Sequence, residues 1–274
     1  MAARATVPGD GWIIITGAGR GLGRALALEL ARRGASIYAT DIDEPSARET
    51  ARLATETGAP RTRSTRCDVT RLEDFAAISE SLKGETVGML VNNAGVACGG
   101  EVGEIPPEDW RWSMDINFFG AANGCHIFVP VMRRQGCGLV VNIASAGGFL
   151  TLPGAAAYSA AKAAVIALTE SLAAELHGTG VRAKVVCPLF LRTDIVESGR
   201  FPDSGTRETG RRLTRKGRST DGMAIRIVNM LGGPEVVIIP ESEGRWLRRL
   251  KCAAPRLYYR LVVLARRRFA STGP

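Results

Sequence analysis

The sequence predicts an α/β fold, a Rossmann-type doubly wound parallel sheet of about seven strands in a single domain. Short β-branched apolar runs alternate with longer helical patterns along most of the 274 residues, which is the signature of successive strand-helix-strand units. The first run, Trp12-Ile13-Ile14-Ile15, passes through Thr16-Gly17-Ala18-Gly19-Arg20-Gly21-Leu22-Gly23 into a helical pattern at Leu22, Leu26, Leu28 and Leu30. A hydrophobic content of 45% suffices for one large core.

The elements follow in order. Strand 12–16, helix 21–33, strand 36–40, helix 44–57, strand 62–67, helix 71–83 and strand 88–91 form the first half. A long helix at 109–134, strand 138–143, helix 154–178, strand 181–187, a polar loop, helix 219–231 and strand 234–239 form the second. The domain spans 11–240 and is preceded by an arm, 1–10. Right-handed crossovers put the ends of the first, fourth and fifth strands at one edge of the sheet, where a cofactor would lie.

Two local features point to chemistry. Glycines between a strand and a helix let the backbone approach a pyrophosphate, and the helix N-terminus supplies free N–H groups to hold it. Asp41, at the end of the second strand, is placed to accept from both ribose hydroxyls of an adenosine and to repel a 2′-phosphate. That favours NAD over NADP, although a carboxylate there could also cap the helix beginning near Glu44. The second feature is Tyr158 with Lys162, four residues apart in an Ala-rich run. On a helix they share a face, and an ammonium beside a phenol favours the phenolate and lowers its pKa. Such a pair also occurs on ordinary solvated helices.

In combination these motifs resemble the short-chain dehydrogenase/reductase superfamily, from about residue 11 to 240. Thr16-Gly17-x-x-x-Gly21-x-Gly23 matches its cofactor turn, Asn92-Asn93-Ala94-Gly95 its second marker, and Cys67-Asp68-Val69 the position whose Asp meets the adenine. Asn117, Ser145, Tyr158 and Lys162 match its catalytic four. The resemblance implies that Tyr158 exchanges a proton with the substrate oxygen and Ser145 hydrogen-bonds that oxygen. Lys162 holds the nicotinamide ribose, and Asn117, at a helix break, anchors water linking Lys162 to solvent. The implied cofactor contacts are Gly17, Arg20, Gly21, Leu22, Gly23, Asp41, Asp68, Val69, Asn93, Ala94, Gly95, Tyr158, Lys162, Pro188, Leu191 and Thr193. No metal is expected.

Two residues depart from the family pattern. Pro188-Leu189 stands where Pro-Gly is usual, and a side chain there restricts the backbone near the nicotinamide. Arg20, inside the glycine turn, is a residue type that some NADP-using relatives place there. Relatives also pair the two long helices, here carrying Ile127, Val131, Val165 and Leu168, across two-fold axes, which implies a homodimer or homotetramer.

Segment 190–222 occupies the family's substrate-lid position and is rich in arginine, from Arg200 to Arg218. It reads either as a mobile lid for an anionic substrate or as a solvated loop. The other walls, Ala146, Gly147, Gly148, Phe149, Leu150, Leu152, Leu189 and Phe190, suit a hydrophobic alcohol or ketone. Residues 241–274 carry nine basic residues and no acid after Glu243, and the chain's net charge is +9. Apolar residues at roughly helical spacing make this extension amphipathic. It can pack on the body, the preferred expectation, or lie against a membrane surface.

Six scattered cysteines, no apolar run of spanning length and no apolar signal core at the start suggest a cytoplasmic protein. No nucleic-acid recognition module is visible. The expected function is NAD-dependent interconversion of an alcohol with its ketone or aldehyde. The alternatives are an NADPH-dependent reductase, a redox-neutral enzyme that recycles bound NAD, and a non-enzymatic nucleotide-sensing protein on the same fold.

Overall fold

Seven parallel strands form one sheet in the order β3-β2-β1-β4-β5-β6-β7 in the computed structural model, which describes residues 11–270. The expected arm, 1–10, and the last four residues lie outside the described residues. The strands are β1 (Trp12–Thr16), β2 (Ser36–Asp41), β3 (Thr62–Arg66), β4 (Val87–Asn92), β5 (Gly138–Ile143), β6 (Val181–Val186) and β7 (Val237–Ile238). The central strands β1, β4 and β5 are buried at every position, because parallel sheets of this type are covered on both faces.

Alternation along each strand divides the core into two layers. Ile13 and Ile15 of β1 face helices α1 (Gly21–Arg32), α2 (Glu44–Thr57) and α8 (Thr220–Met230). Trp12 and Ile14 face the opposite layer, built on α3 (Leu72–Ser81), α5 (Gly120–Gln135) and α6 (Ala156–Glu175). Strand order reverses between β1 and β4, so the connections that leave their C-terminal ends turn to opposite faces of the sheet and open a crevice there.

Three segments differ from the sequence reading. The expected single helix at 109–134 is α4 (Pro107–Met114), a π-helical stretch over Asp115–Phe119, and α5. Within that stretch Asn117 is buried, and its amide donates to the Ser113 carbonyl at 3.0 Å, diverting an acceptor of the helical ladder. The polar loop contains α7 (Ser204–Arg215), capped by the Asp203 carboxylate, which accepts from the Thr206 N–H at 2.8 Å. Its apolar pattern is too sparse to announce a helix. Ion pairs support it instead, with Arg211 reaching Glu197 at 2.7 Å and Glu208 at 3.6 Å, and Arg215 reaching Glu208. The last strand shrinks to two residues because it pairs with β6 only at Val185↔Val237 and Val186↔Ile238.

The C-terminal extension forms α9 (Ser242–Ala253) and α10 (Pro255–Ala270). Tyr258 is 4% exposed and packs with Ala146 and Leu150, joined by Leu247, Leu250 and Val262. Its hydroxyl accepts from the Thr151 N–H at 2.9 Å, and the Lys251 ammonium donates to the Phe149 carbonyl at 2.7 Å. One face of the extension is therefore part of the body. Tyr258→Ala is expected to cost about 3 kcal/mol, as large-to-small changes at packed aromatic positions do. Truncation after Pro240 should expose the same surface and lower both the thermal midpoint and solubility, measured by thermal denaturation and static light scattering. An unchanged midpoint in both variants would mean that the extension contributes no packing.

Candidate functional site

The glycine turn after β1 is shaped by close approaches. Gly17 lies at φ +62°, and a Cβ there would stand 2.8 Å from the Ala94 Cα, while a Cβ at Gly23 would meet the Gly17 carbonyl oxygen. The ends of β1 and β4 are tied together at this point. Thr16 Oγ1 accepts from the N–H groups of Asn93 and Ala94 at 3.0 and 3.1 Å, and the Asn93 side chain donates to the carbonyls of Thr16 and Gly17 at 2.9 and 3.0 Å. Asp41 is fixed across the turn. One carboxylate oxygen accepts from the Gly19 N–H at 2.8 Å, the other from the Asp43 N–H at 3.0 Å. Asp68 is similarly held, accepting from the Thr70 N–H and hydroxyl at 3.0 and 2.7 Å.

A cleft of about 1960 Å³ opens over these strand ends. Every candidate named from the sequence lines it except Gly23, packed behind the turn, and Asn117, buried behind Gly95. Of the expected apolar walls, Ala146, Gly147, Leu150, Leu152, Leu189 and Phe190 line the cleft. Gly148 and Phe149 do not line it. A Cβ at Gly148 would crowd the Lys162 backbone at 2.8 Å, and the Phe149 ring packs beneath Arg248, 5.7 Å away.

Tyr158, Ser145 and Lys162 meet at the inner end. The Ser145 hydroxyl stands near the Tyr158 phenol on the cleft wall and accepts from the Gly147 N–H at 3.1 Å. Lys162 is 4% exposed; its ammonium donates to the Ile143 carbonyl at 3.0 Å and stands 5.8 Å from the centre of the Tyr158 ring. Asn117 is engaged on both ends of its amide, accepting from the Val96 N–H at 3.1 Å and donating to the Val96 carbonyl at 3.0 Å. A Cβ at Gly95 would stand 2.7 Å from the Asn117 oxygen and 3.2 Å from the Lys162 nitrogen, so Gly95 is the gap through which these two residues approach.

The electrostatics correct one expectation. Burial raises the Tyr158 pKa above the ordinary tyrosine value, and the nearby Ser145 hydroxyl only partly offsets this. The lowering expected from Lys162 does not dominate, because the ammonium is itself destabilised by burial and its pKa falls to about 8. Cys187, just after β6, is pushed up to about 12 by burial and stays a neutral thiol near Lys162.

Several contributors escaped the sequence reading. Glu241 is fully buried, and its carboxylate accepts from the Leu189 N–H at 3.2 Å. Leu189 keeps an ordinary backbone, since among the described residues only glycines have positive φ. Its side chain joins the cluster under α9 and α10, and Leu247, Val262 and Ala265 from those helices line the cleft. Asn142 links β5 to the neighbouring elements, accepting from Asn92 at 2.8 Å and donating to Thr169 at 2.9 Å. Only the Asn92-Asn93 pair carried a sequence signal. Conversely, the arginines of the lid region are largely engaged within the protein: Arg200 with Asp109 at 2.8 Å, Arg211 with Glu197, and Arg218 with Glu243 at 2.9 Å.

Residues 11–201 match the family model for short chain dehydrogenase. The chain belongs to that family. SadH of Mycobacterium tuberculosis is 36% identical over 200 residues, which is 72% of this chain and 72% of SadH. A short chain dehydrogenase/reductase from Burkholderia phymatum, solved in complex with NAD, superposes with a TM-score of 0.83 at 28% identity, covering 90% of this chain and 95% of that one. A short-chain dehydrogenase from Sphingobium yanoikuyae in complex with NADPH gives a TM-score of 0.74 at 26% identity, with 96% of each chain covered. This short-chain dehydrogenase is thus an oxidoreductase on a nucleotide-binding Rossmann fold. The space that the glycines keep clear of side chains, the held Asp41 carboxylate and the N-terminus of α1 at the cleft fit a dinucleotide.

The lysine makes a pH-dependent test possible. Its folded pKa, about 8, lies below the ordinary value of 10.5, so between these values the unfolded chain binds more protons than the folded one. Stability contributed through this group therefore rises with pH from about 8 to about 10.5, by up to roughly 3 kcal/mol. Relative to Lys162→Met, the native enzyme should gain thermal stability across that window. A difference between the two midpoints that stays flat from pH 7 to pH 10 would rule out this burial cost.

Proposed function

We propose that the enzyme is an NAD-dependent dehydrogenase that interconverts a hydrophobic, secondary alcohol with its ketone, with Tyr158 as acid/base. The observation that carries the reading is the meeting of Tyr158, Ser145 and the buried Lys162, its ammonium 5.8 Å from the Tyr158 ring, in a cleft with apolar walls. Burial keeps the phenol protonated at neutral pH, the form that donates to a carbonyl oxygen becoming an alkoxide. Ser145 holds the same oxygen as charge develops, and in the oxidative direction the Tyr158 oxygen accepts the proton. Lys162 supplies positive charge behind the phenol, and its tie to the Ile143 carbonyl fixes its position. Asn117, clasped to Val96, supports Lys162 from behind Gly95.

Gly17, Gly21 and Gly23 would admit the pyrophosphate, Asp41 the adenosine ribose, Asp68 and Val69 the adenine. Asn93, Ala94, Gly95, Pro188, Leu191 and Thr193 would flank the nicotinamide half. When bound, the cofactor supplies the hydride chemistry. Preference for NAD rests on Asp41, whose carboxylate is anchored on the turn and opposes a 2′-phosphate. Arg20 is the counter-argument, but it has an acid nearby in Asp43, whose carboxyl pKa is lowered mainly by its Ser46 hydrogen bonds and to a lesser degree by the Arg20 charge. That acid offsets a phosphate-binding role.

Tyr158→Phe is expected to lower turnover by about two to four powers of ten while cofactor binding persists. Near-native turnover in this variant, followed by NADH absorbance on a panel of secondary alcohols and ketones, would remove Tyr158 from the mechanism. Fluorescence titration should show NAD(H) bound more tightly than NADP(H), with Asp41→Ala narrowing the gap. Equal affinities in the unmodified enzyme would transfer the specificity role to Arg20.

A further inference from the structure

The outward face of the C-terminal helix pair combines two properties that the rest of the surface keeps apart. Among the described residues, six large apolar side chains are exposed in residues 246–264, Trp246, Leu257, Tyr259, Leu261, Val263 and Leu264, against six over all the preceding chain. Leu257, Leu261 and Leu264 follow i, i+4, i+7 spacing and form one stripe along α10, 50%, 45% and 54% exposed. Tyr258 and Val262, which pack on the body, and Ala265, which lines the cleft, lie one position further on, so the exposed stripe borders the packed one. Isolated apolar side chains are ordinary on a surface; a contiguous stripe indicates a partner.

Charge says which kind of partner. The extension carries nine basic residues against two acids, Glu241 and Glu243, so it holds +7 of the net charge of +9 and the remaining chain only +2. Elsewhere on the surface arginines pair with acids, as Arg48 does with Glu44 and Arg52 with Glu49. Arg249, Arg256 and Arg260 are exposed, and none of the three forms an ion pair with a carboxylate of the described residues. Arg256 and Arg260 flank the leucine stripe on its outer side, and Arg249 stands three residues after Trp246. Apolar side chains beside unpaired arginines match an interface of acyl chains under anionic headgroups. A second copy of the same face would present the same positive charge to itself, and a nucleic acid would leave the leucine stripe unexplained.

We infer that α9 and α10 form a docking face for a membrane surface containing anionic lipid. Val262 and Ala265 line the cleft on the same helix, one helical face away from the stripe. Docking therefore sets the mouth of the cleft beside the bilayer, where an apolar alcohol would be concentrated.

The test uses the full chain and sucrose-loaded vesicles of phosphatidylcholine, alone or mixed with phosphatidylglycerol, at low and high salt. Sedimentation with the mixed vesicles should exceed that with phosphatidylcholine by about tenfold or more and should fall with salt, as contacts to anionic headgroups do. Leu257→Glu combined with Leu261→Glu and Leu264→Glu should abolish it. Because that variant could lose helix packing, Arg249→Glu with Arg256→Glu and Arg260→Glu provides a second probe, altering only exposed charges; it should remove the preference for anionic vesicles and leave activity on a water-soluble alcohol unchanged. Equal recovery with both vesicle types, or unchanged recovery in the charge-reversed variant, would overturn the inference. So would a halved solution mass in the leucine variant, which would assign the stripe to a contact between copies.

Discussion

The site depends on keeping an ammonium charged where burial opposes charge. Lys162 sits beneath the strand ends with one backbone carbonyl as its fixed partner, and the cost appears in a pKa lowered to about 8. The surroundings are arranged to tolerate this. Gly95 has no side chain, so Asn117 and Lys162 can approach through its position, and the π-helical turn over Asp115–Phe119 brings Asn117 inward to do so. A regular helix would carry the same residue at a different angle. The Tyr158 phenol shares this poorly solvated corner and is pushed the other way, toward retention of its proton. The two groups are thus moved in opposite directions on the pH scale, Lys162 down and Tyr158 up, by one cause, desolvation.

A second constraint ties the extension to that corner. Leu189 follows Pro188 on the loop after β6, and its N–H is held by Glu241, the residue that leads into α9. Its side chain is then covered by Leu247, Leu250 and Val262. A glycine at 189 would leave a void under the extension, while a leucine there without the extension would be bare. The departure from the usual Pro-Gly and the presence of the extra helices are consistent with each other, each making the other favourable. Glu241 is the costly element of the join, with one carboxylate oxygen lacking a protein partner and burial raising its pKa.

Most of the sheet was legible in the sequence, because parallel strands buried on both faces leave dense β-branched runs such as Trp12-Ile13-Ile14-Ile15. The cofactor turn was legible for a different reason: glycines at 17 and 23 are demanded by atoms that would otherwise overlap. What was not legible lay where tertiary contact overrides local pattern. α7 carries little apolar periodicity and is held by ion pairs to residues as distant as Glu197. The direction of the Tyr158 shift could not be read from its spacing to Lys162, since spacing gives proximity but not solvation. Glu241 resembled any surface acid until the fold enclosed it.

The extension also shows why one amphipathic pattern supported two readings, packing or membrane contact. A helix with a single apolar stripe must choose between them, but α10 has two adjacent stripes, Tyr258-Val262-Ala265 and Leu257-Leu261-Leu264. Together they span too wide an arc for one protein surface to cover. The first packs on the body through Tyr258 and Val262 and lines the cleft through Val262 and Ala265; the second faces outward beside Arg256 and Arg260. Packing the first stripe fixes the orientation of the second, so the residues that complete the cleft wall also determine which side of the molecule is apolar and positively charged. An apolar substrate arriving from that side would meet the cleft wall one helical face from where it left the lipid.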